Sequence, residues 1–399
     1  MKKTALFGVL VMLLALVLTA CGDSPTATPA AAATTAAAAA AATTAAAAPA
    51  ATTAAAAPAA GGAASVDNAV IEASKKENSV VVYSIMTATS WAPVIAAFNK
   101  KYPWIKVDTV DLGSNEVFER YYSESASKAN TADMIITNGA DGWLNFIAKG
   151  EVLPFKATDD ALLPTWSKPA ASIYTVSTDP MVFIWNKQLL PTAPKTMAEL
   201  AAMVEKDPAK FKGKVTTYDA ETNATGFGDN WFWSKKKGEE GWKILESLGK
   251  APPVLQSSAG TMVNGVLSGQ YLVGYFVSLP TVLAQLPAAE AILGWSMIGD
   301  GTPVVLRAMG ITKGGAHPNS AKLLDDFILS QEGQIAFAEG NLTSYRADVA
   351  DKAKYSLTKY TAQAGGEQNL INFFFDQDLL DKAKKDAFVT RWKKSVGKA

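Results

Sequence analysis

Hydroxyl and amide side chains recur directly after short apolar runs, a placement that suits hydrogen-bonded capture of a small molecule. Thr87, Thr89 and Ser90 follow Val80-Val81-Val82-Tyr83. The turn Gly113-Ser114-Asn115 follows a second run, and Asn138 to Asp141 follows Met134-Ile135-Ile136. Further along, Tyr218, Ser258, Thr261 and Ser278 form a second set of the same character. Trp231 and Trp233 offer ring faces for stacking on a sugar or an organic cation, or for packing their own loop. Capping accounts for the same residue types at helix starts, so each position has a structural reading beside the binding one. Arg307 stands in an otherwise apolar strand and needs a partner, either a carboxylate of the protein or an anionic ligand. His317 precedes Pro318 ahead of a helical pattern and reads as a surface cap.

The same inventory argues against an enzyme. The chain has one histidine, His317, and one cysteine, Cys21. A zinc site of cysteines and histidines is therefore out of reach, as is a disulfide framework. A serine triad would have to use His317, and no Gly-x-Ser-x-Gly elbow is present. Neither a Gly-x-x-x-x-Gly-Lys phosphate loop nor a Gly-x-Gly-x-x-Gly fingerprint occurs. A carboxylate pair acting on a glycoside stays open. No cofactor is expected.

The elements that must position these groups alternate between strand and helix patterns. Val80 to Tyr83 reads as a strand covered on both faces. Trp91, Val94, Ile95 and Phe98 recur at helical spacing behind it, with Ser90 as the expected N-cap and Pro93 in the first turn. Ile105 to Val110 and Asp133 to Ile136 read as further strands. Each is followed by a polar turn and an amphipathic helix, the first carrying Val117, Phe118, Tyr121 and Tyr122, the second Trp143, Leu144 and Ile147. Three such units predict a parallel sheet with right-handed crossovers and three polar turns on one edge, which favours a cleft there. Met181 to Trp185, Val215 to Tyr218 and Tyr271 to Val277 read as strands of a second α/β lobe. Asp219 to Trp233 reads as a long polar and aromatic loop. Val304 to Thr312 reads as a strand returning to the first lobe. A helix is expected from about Pro318, and a last amphipathic helix over Phe373 to Trp392.

Ahead of this lies a different kind of chain. Lys2 and Lys3 followed by an apolar run ending Leu18-Thr19-Ala20-Cys21 resemble a bacterial lipoprotein signal, with cleavage before Cys21 and lipid on its sulfur. The stretch from 21 to 65 is Ala, Thr and Pro with no core-facing periodicity, and reads as a flexible tether. Basic and acidic residues balance at 37 each, and no basic stretch offers itself to nucleic acid.

Several segments together resemble an extracellular solute-binding protein of an ABC importer, in the branch that includes the ferric-ion-binding proteins. They are Val80 to Ser84, Ala96-Ala97-Phe98-Asn99-Lys100-Lys101-Tyr102-Pro103-Trp104-Ile105-Lys106-Val107, Ala132 to Ile136, and, most specifically, Asn319 to Gln334. The resemblance spans nearly all of residues 78 to 350. It implies two lobes joined by crossing strands that close on a ligand and delivery to a membrane permease. A monomer is expected. The ferric branch holds its iron through a His, a Glu and two adjacent tyrosines. Those positions fall at Thr87, at Asn138 and near Leu279 and Pro280, none of which supplies a hard anionic oxygen.

The expected molecule is thus an α/β protein of the two-lobed periplasmic-binding type (type II). Residues 1–20 form the signal and 21–65 the tether. Residues 66–181 and 300–345 form the first lobe and 182–299 the second, with C-terminal helices over 346–399. The expected function is capture of a small polar or anionic solute outside the cell by an exported, lipid-anchored receptor, on the outer face of the cytoplasmic membrane or facing the periplasm. The alternatives are a ferric-ion-binding protein with a non-standard site, or a surface lipoprotein with a scaffold, adhesin or glycan-processing role. The expected ligand residues are Thr87, Thr89, Ser90, Asn138, Asp141, Tyr218, Trp231, Ser258, Thr261 and Ser278, with no metal ligands.

Overall fold

Two long antiparallel strands pass between the lobes and carry the centre of the molecule. They are seen in a computed structural model that describes residues 66–373 and 375–398. The first, β4 (Tyr174–Asn186), is preceded by α1 (Asn68–Glu77), β1 (Ser79–Ser84), α2 (Ala88–Lys101), β2 (Lys106–Asp111), α3 (Glu116–Ala126), β3 (Met134–Thr137) and α4 (Ala140–Ala148). It is followed by α5 (Met197–Lys206), α6 (Pro208–Phe211), β5 (Val215–Tyr218), α7 (Ala224–Leu248), β6 (Val254–Gln256), α8 (Ala259–Leu267), β7 (Val273–Ser278), α9 (Leu279–Ala289) and β8 (Leu293–Ser296). The second crossing strand, β9 (Thr302–Ile311), leads into α10 (Pro318–Leu329), α11 (Gln331–Glu339), α12 (Leu357–Thr361), β10 (Leu370–Asn372) and α13 (Lys382–Ser395).

The strands form one continuous sheet in the order β2-β1-β3-β9-β4-β7-β5-β6, with β10 on β9 and β8 on β4. β1 pairs in parallel with both β2 and β3, as successive strand–helix units require. The first half of β4 pairs with β9, placing Ser177 opposite Arg307, and its second half pairs with β7, placing Met181 opposite Ser278. β9 in turn pairs with β3, Met309 opposite Ile136. One lobe is thereby built on β2-β1-β3 and the other on β7-β5-β6.

Apolar packing fixes each lobe. Trp91 and Phe98 on α2 are fully buried against Phe337 and Phe327, with ring centroids 5.6 and 5.4 Å apart. On the opposite face of that sheet, Phe118, Tyr121, Trp143 and Phe146 form an edge-to-face aromatic cluster. In the other lobe Trp231, Trp233, Trp242, Phe388 and Trp392 join one core, so α13 is an integral layer over α7.

Three expectations about local structure are corrected. α2 starts at Ala88 with Thr87 as its N-cap, so Ser90 is inside the helix and Pro93 lies past the first turn, leaving the Thr89 carbonyl without an i+4 donor. The loop expected over Asp219 to Trp233 ends at Asn223, and the rest is helix. Gly226 and Gly228 made that stretch look irregular, but close packing demands them: a Cβ at Gly226 would lie 2.6 Å from Tyr218 Cβ, and one at Gly228 2.5 Å from the Phe373 ring. The last helix begins at Lys382, because Asp376 caps a short 3-10 turn over Gln377–Leu380 and Asp381 caps the helix itself, which divides the apolar pattern.

Candidate functional site

A cavity of about 350 Å³ lies where the two lobes meet the crossing strands. Ile85, Ser114 and Asn138 reach it from one lobe, Asp179 and Arg307 from β4 and β9, and Tyr218, Asn223, Ser258 and Ser278 from the other lobe. Parallel strands explain this convergence, since the loops after β1, β3 and β5 all leave the sheet at the strands' carboxyl ends.

Three helices of the second lobe begin on this cavity. α7 is capped by Asn223, whose Oδ1 accepts from Gly226 N at 2.9 Å. α8 is capped by Ser258, whose Oγ accepts from Thr261 N at 3.2 Å and lies 2.9 Å from the Thr261 hydroxyl. α9 starts directly after Ser278, whose hydroxyl donates instead to Asp179 Oδ2 at 2.8 Å. Thr225, Gly260 and Thr281, in the first turns of these helices, line the cavity with their caps. First-turn N–H groups have no intrahelical acceptor and carry the positive end of the helix dipole.

Among the described residues, the only guanidinium lining the cavity belongs to Arg307. Its Nη2 donates to Asp179 Oδ2 at 3.0 Å, while Nη1 is buried without a partner among the described residues. Burial raises the Asp179 carboxyl above its ordinary value, against the opposing pull of Arg307 and Ser278. Behind it, Asp229 on α7 is wholly buried with neither carboxylate oxygen partnered among the described residues; burial, then the Asp179 charge, drives it well above the usual range. Burial and the same Asp179 charge raise the Tyr218 phenol, so it remains a hydroxyl donor at neutral pH. Asn138 Oδ1 accepts from Ser114 Oγ at 2.7 Å, which orients its amide.

The expected ligand residues are therefore partly brought together. Asn138, Tyr218, Ser258 and Ser278 line the one cavity, and Thr261 completes the α8 cap beside it. Asp141 lines an adjoining chamber and lies 3.4 Å from Lys385. Thr87, Thr89 and Ser90 are not among the lining residues; the Ser90 backbone packs on Gly340, where a Cβ would meet its carbonyl at 2.3 Å. Trp231 and Trp233 are buried on α7, and Trp231 Nε1 donates to Asp376 Oδ2 at 3.0 Å. His317 is no free surface cap: its N–H donates to Asp133 Oδ1 at 2.7 Å and its Nδ1 lies 2.9 Å from Oδ2. Cys21 lies outside the described residues.

Asp179 and Asn223 escaped the sequence reading. A carboxylate at Asp179 between buried-strand residues, two places before Met181, is a signal of the same kind as Arg307 and could have been paired with it. Asn223 was hidden by reading its helix as loop. Among the described residues no group of three His, Cys, Asp or Glu side chains is placed to hold a metal ion.

A family model described as bacterial extracellular solute-binding protein matches residues 83–335, more than half of the chain. The chain belongs to that family. The match covers the crossing strands and every residue named above as lining the central cavity. No curated protein sequence matches the chain.

Among solved structures, the solute-binding-protein fold recurs in a substrate-binding protein of an ABC transporter from Agrobacterium tumefaciens. It is 23% identical at a TM-score of 0.68, over 80% of this chain and 94% of that one. The periplasmic binding protein AfuA of Actinobacillus pleuropneumoniae, solved with fructose-6-phosphate, is 20% identical at a TM-score of 0.61, over 80% of this chain and 99% of that one. Iron-bound HitA from Pseudomonas aeruginosa is 19% identical at 0.55, over 65% and 83%. At these identities the likeness is one of fold.

Proposed function

We propose that this solute-binding protein captures an anionic organic solute and hands it to the permease of an ABC importer. One observation carries the choice of charge: Arg307 and the starts of α7, α8 and α9 converge on a single cavity. A phosphate or carboxylate there would meet the unpartnered Arg307 Nη1, first-turn N–H groups and the hydroxyls of Ser258, Ser278 and Tyr218. Asp179 offsets part of the guanidinium charge through Nη2 and leaves Nη1 to the solute.

Asn138 and Ser114 would close on the solute from the other lobe, so that binding favours the closed form and the permease reads closure. We assign residues 66–181 and 300–345 to one lobe and 182–299 to the other. The lipoprotein-like leader ending at Cys21 and the tether-like stretch over 21–65 support a receptor held outside the cell on a lipid anchor; loss of a Cys21→Ala variant from the membrane fraction would test the anchor. The fructose-6-phosphate bound by AfuA is compatible with an anionic choice.

The test is a thermal-shift screen of the purified protein against phosphate esters, carboxylates, polyamines, neutral sugars and ferric citrate. A solute at a hundred times its Kd stabilises by about 2.7 kcal/mol, a readily seen rise in melting temperature. Stabilisation by phosphate esters or carboxylates alone supports the reading. Stabilisation only by polyamines, neutral sugars or iron overturns it.

A further inference from the structure

A second chamber of about 270 Å³ adjoins the central cavity, and Ser114, Asn138 and Asn223 line both. The two chambers differ in chemistry. The first holds Arg307 and the starts of α8 and α9, whereas the second is walled by Phe227, Phe373 and Leu379. The Phe227 ring is fixed by near-parallel stacking on Trp231, centroids 5.4 Å apart at 21°, and by an edge contact with Phe388 at 5.2 Å. Phe373 lies against α7 because Gly228 has no Cβ, and its ring is 4.6 Å from that of Phe232.

The charges around the second chamber are matched. Asp141 faces Lys385 at 3.4 Å, and Glu221 pairs with Lys393 at 2.9 Å and Lys398 at 2.7 Å. A preformed aromatic wall with its rim charges neutralised suits an uncharged, flat, apolar group. At the neck, the Asn138 amide nitrogen has no partner among the described residues, since only its Oδ1 is used, by Ser114.

Resting on the anionic reading above, we propose that the solute has two parts. An oxyanionic head seats against Arg307 and the helix starts. A neutral aromatic or similarly flat body enters the chamber beside Phe227, and the junction between the two lies at Asn138.

The experiment is calorimetric titration of the purified full chain with inorganic phosphate, glycerol 3-phosphate and phenyl phosphate, with acetate and phenylacetate as the carboxylate arm. The arylated member of each series is expected to bind at least about tenfold tighter than its small counterpart, as burial of a ring implies. Ala224, exposed at the first position of α7, lines the second chamber. Ala224→Leu fills that space without removing a core contact and is expected to bring the ratio within a series toward one. Phe227→Leu, which keeps the bulk and loses the flat face, is expected to narrow it as well. Arg307→Gln is expected to weaken both members of each series together. Equal affinities within a series that does bind would overturn the two-part solute and leave the anionic reading standing. If no oxyanion binds, both fall together.

Discussion

Arg307 on β9 and Asp179 on β4 form an ion pair at 3.0 Å across the two strands that run between the lobes. The register places Ser177 opposite Arg307 and Asp179 opposite Val305, so the two charged residues are diagonal neighbours on one face. Their side chains are 14% and 5% exposed, so the pair is shielded from water and sits where lobe motion would be felt. Arg307→Gln is expected to weaken anion binding by tenfold or more, the loss of one charge-assisted contact. It is also expected to destabilise the protein by about 3 kcal/mol, because Asp179 is left buried without its counter-charge. Adding Asp179→Asn should restore much of the melting temperature and none of the affinity. A double variant that regains affinity would place the anion elsewhere.

Asp229 gives the protein a pH-dependent weakness. Its folded-state carboxyl titrates well above the ordinary value, through burial and then the Asp179 charge. A raised folded value means that its contribution is fully present below the unfolded pKa, near 4, and is lost as pH rises toward the folded value. Asp229→Asn is neutral at every pH and escapes that loss. The variant should match the wild type at pH 4 and melt higher at pH 7. The gap should widen by up to about 1.4 kcal/mol per pH unit until the folded carboxyl ionises. Melting curves at the two pH values check this; a gap that does not change with pH would mean that Asp229 is ionised in the folded protein.

Asn138→Ala tests the first lobe's share of the site. The side chain is half-buried, and Ser114 Oγ is its hydrogen-bond partner. Removing it costs one net side-chain hydrogen bond, about 1 kcal/mol, so the melting temperature of the free protein should fall little. Solute affinity should drop several-fold, and the solute-induced rise in melting temperature should shrink with it. Unaltered affinity would remove Asn138 from the site.

What could be read from the chain depends on the range of the interaction. β5 over Val215 to Tyr218 is a local feature four residues in extent, and it stands where expected. The start of α7 was obscured because its glycines answer to Tyr218 and to Phe373, the latter far along the chain. The Arg307–Asp179 pair joins positions 128 residues apart, and only the antiparallel register of β4 and β9 reveals it. Polar turns after β1, β2 and β3 all read alike, yet the turn after β1 brings only Ile85 to the cavity while its hydroxyls lie beyond the lining. Which polar turn faces a ligand is decided by lobe packing, which leaves no local signature.

Trp231 distinguishes a stacking platform from a core residue. Its indole N–H donates to Asp376, which Lys235 also contacts at 2.6 Å, and its ring packs between Phe227 and Phe388. Asp376 is 6% exposed, so a lost donor there is felt. Trp231→Phe keeps the ring packing and removes the N–H, and should cost about 1–2 kcal/mol of stability. Lys235 remains to hold the carboxylate, which limits the loss. Affinity for the solute should stay within about twofold of wild type, because the indole lies outside the residues lining either chamber. Parallel melts and titrations read the two effects separately, and a tenfold fall in affinity with an unchanged melting temperature would return Trp231 to the binding site.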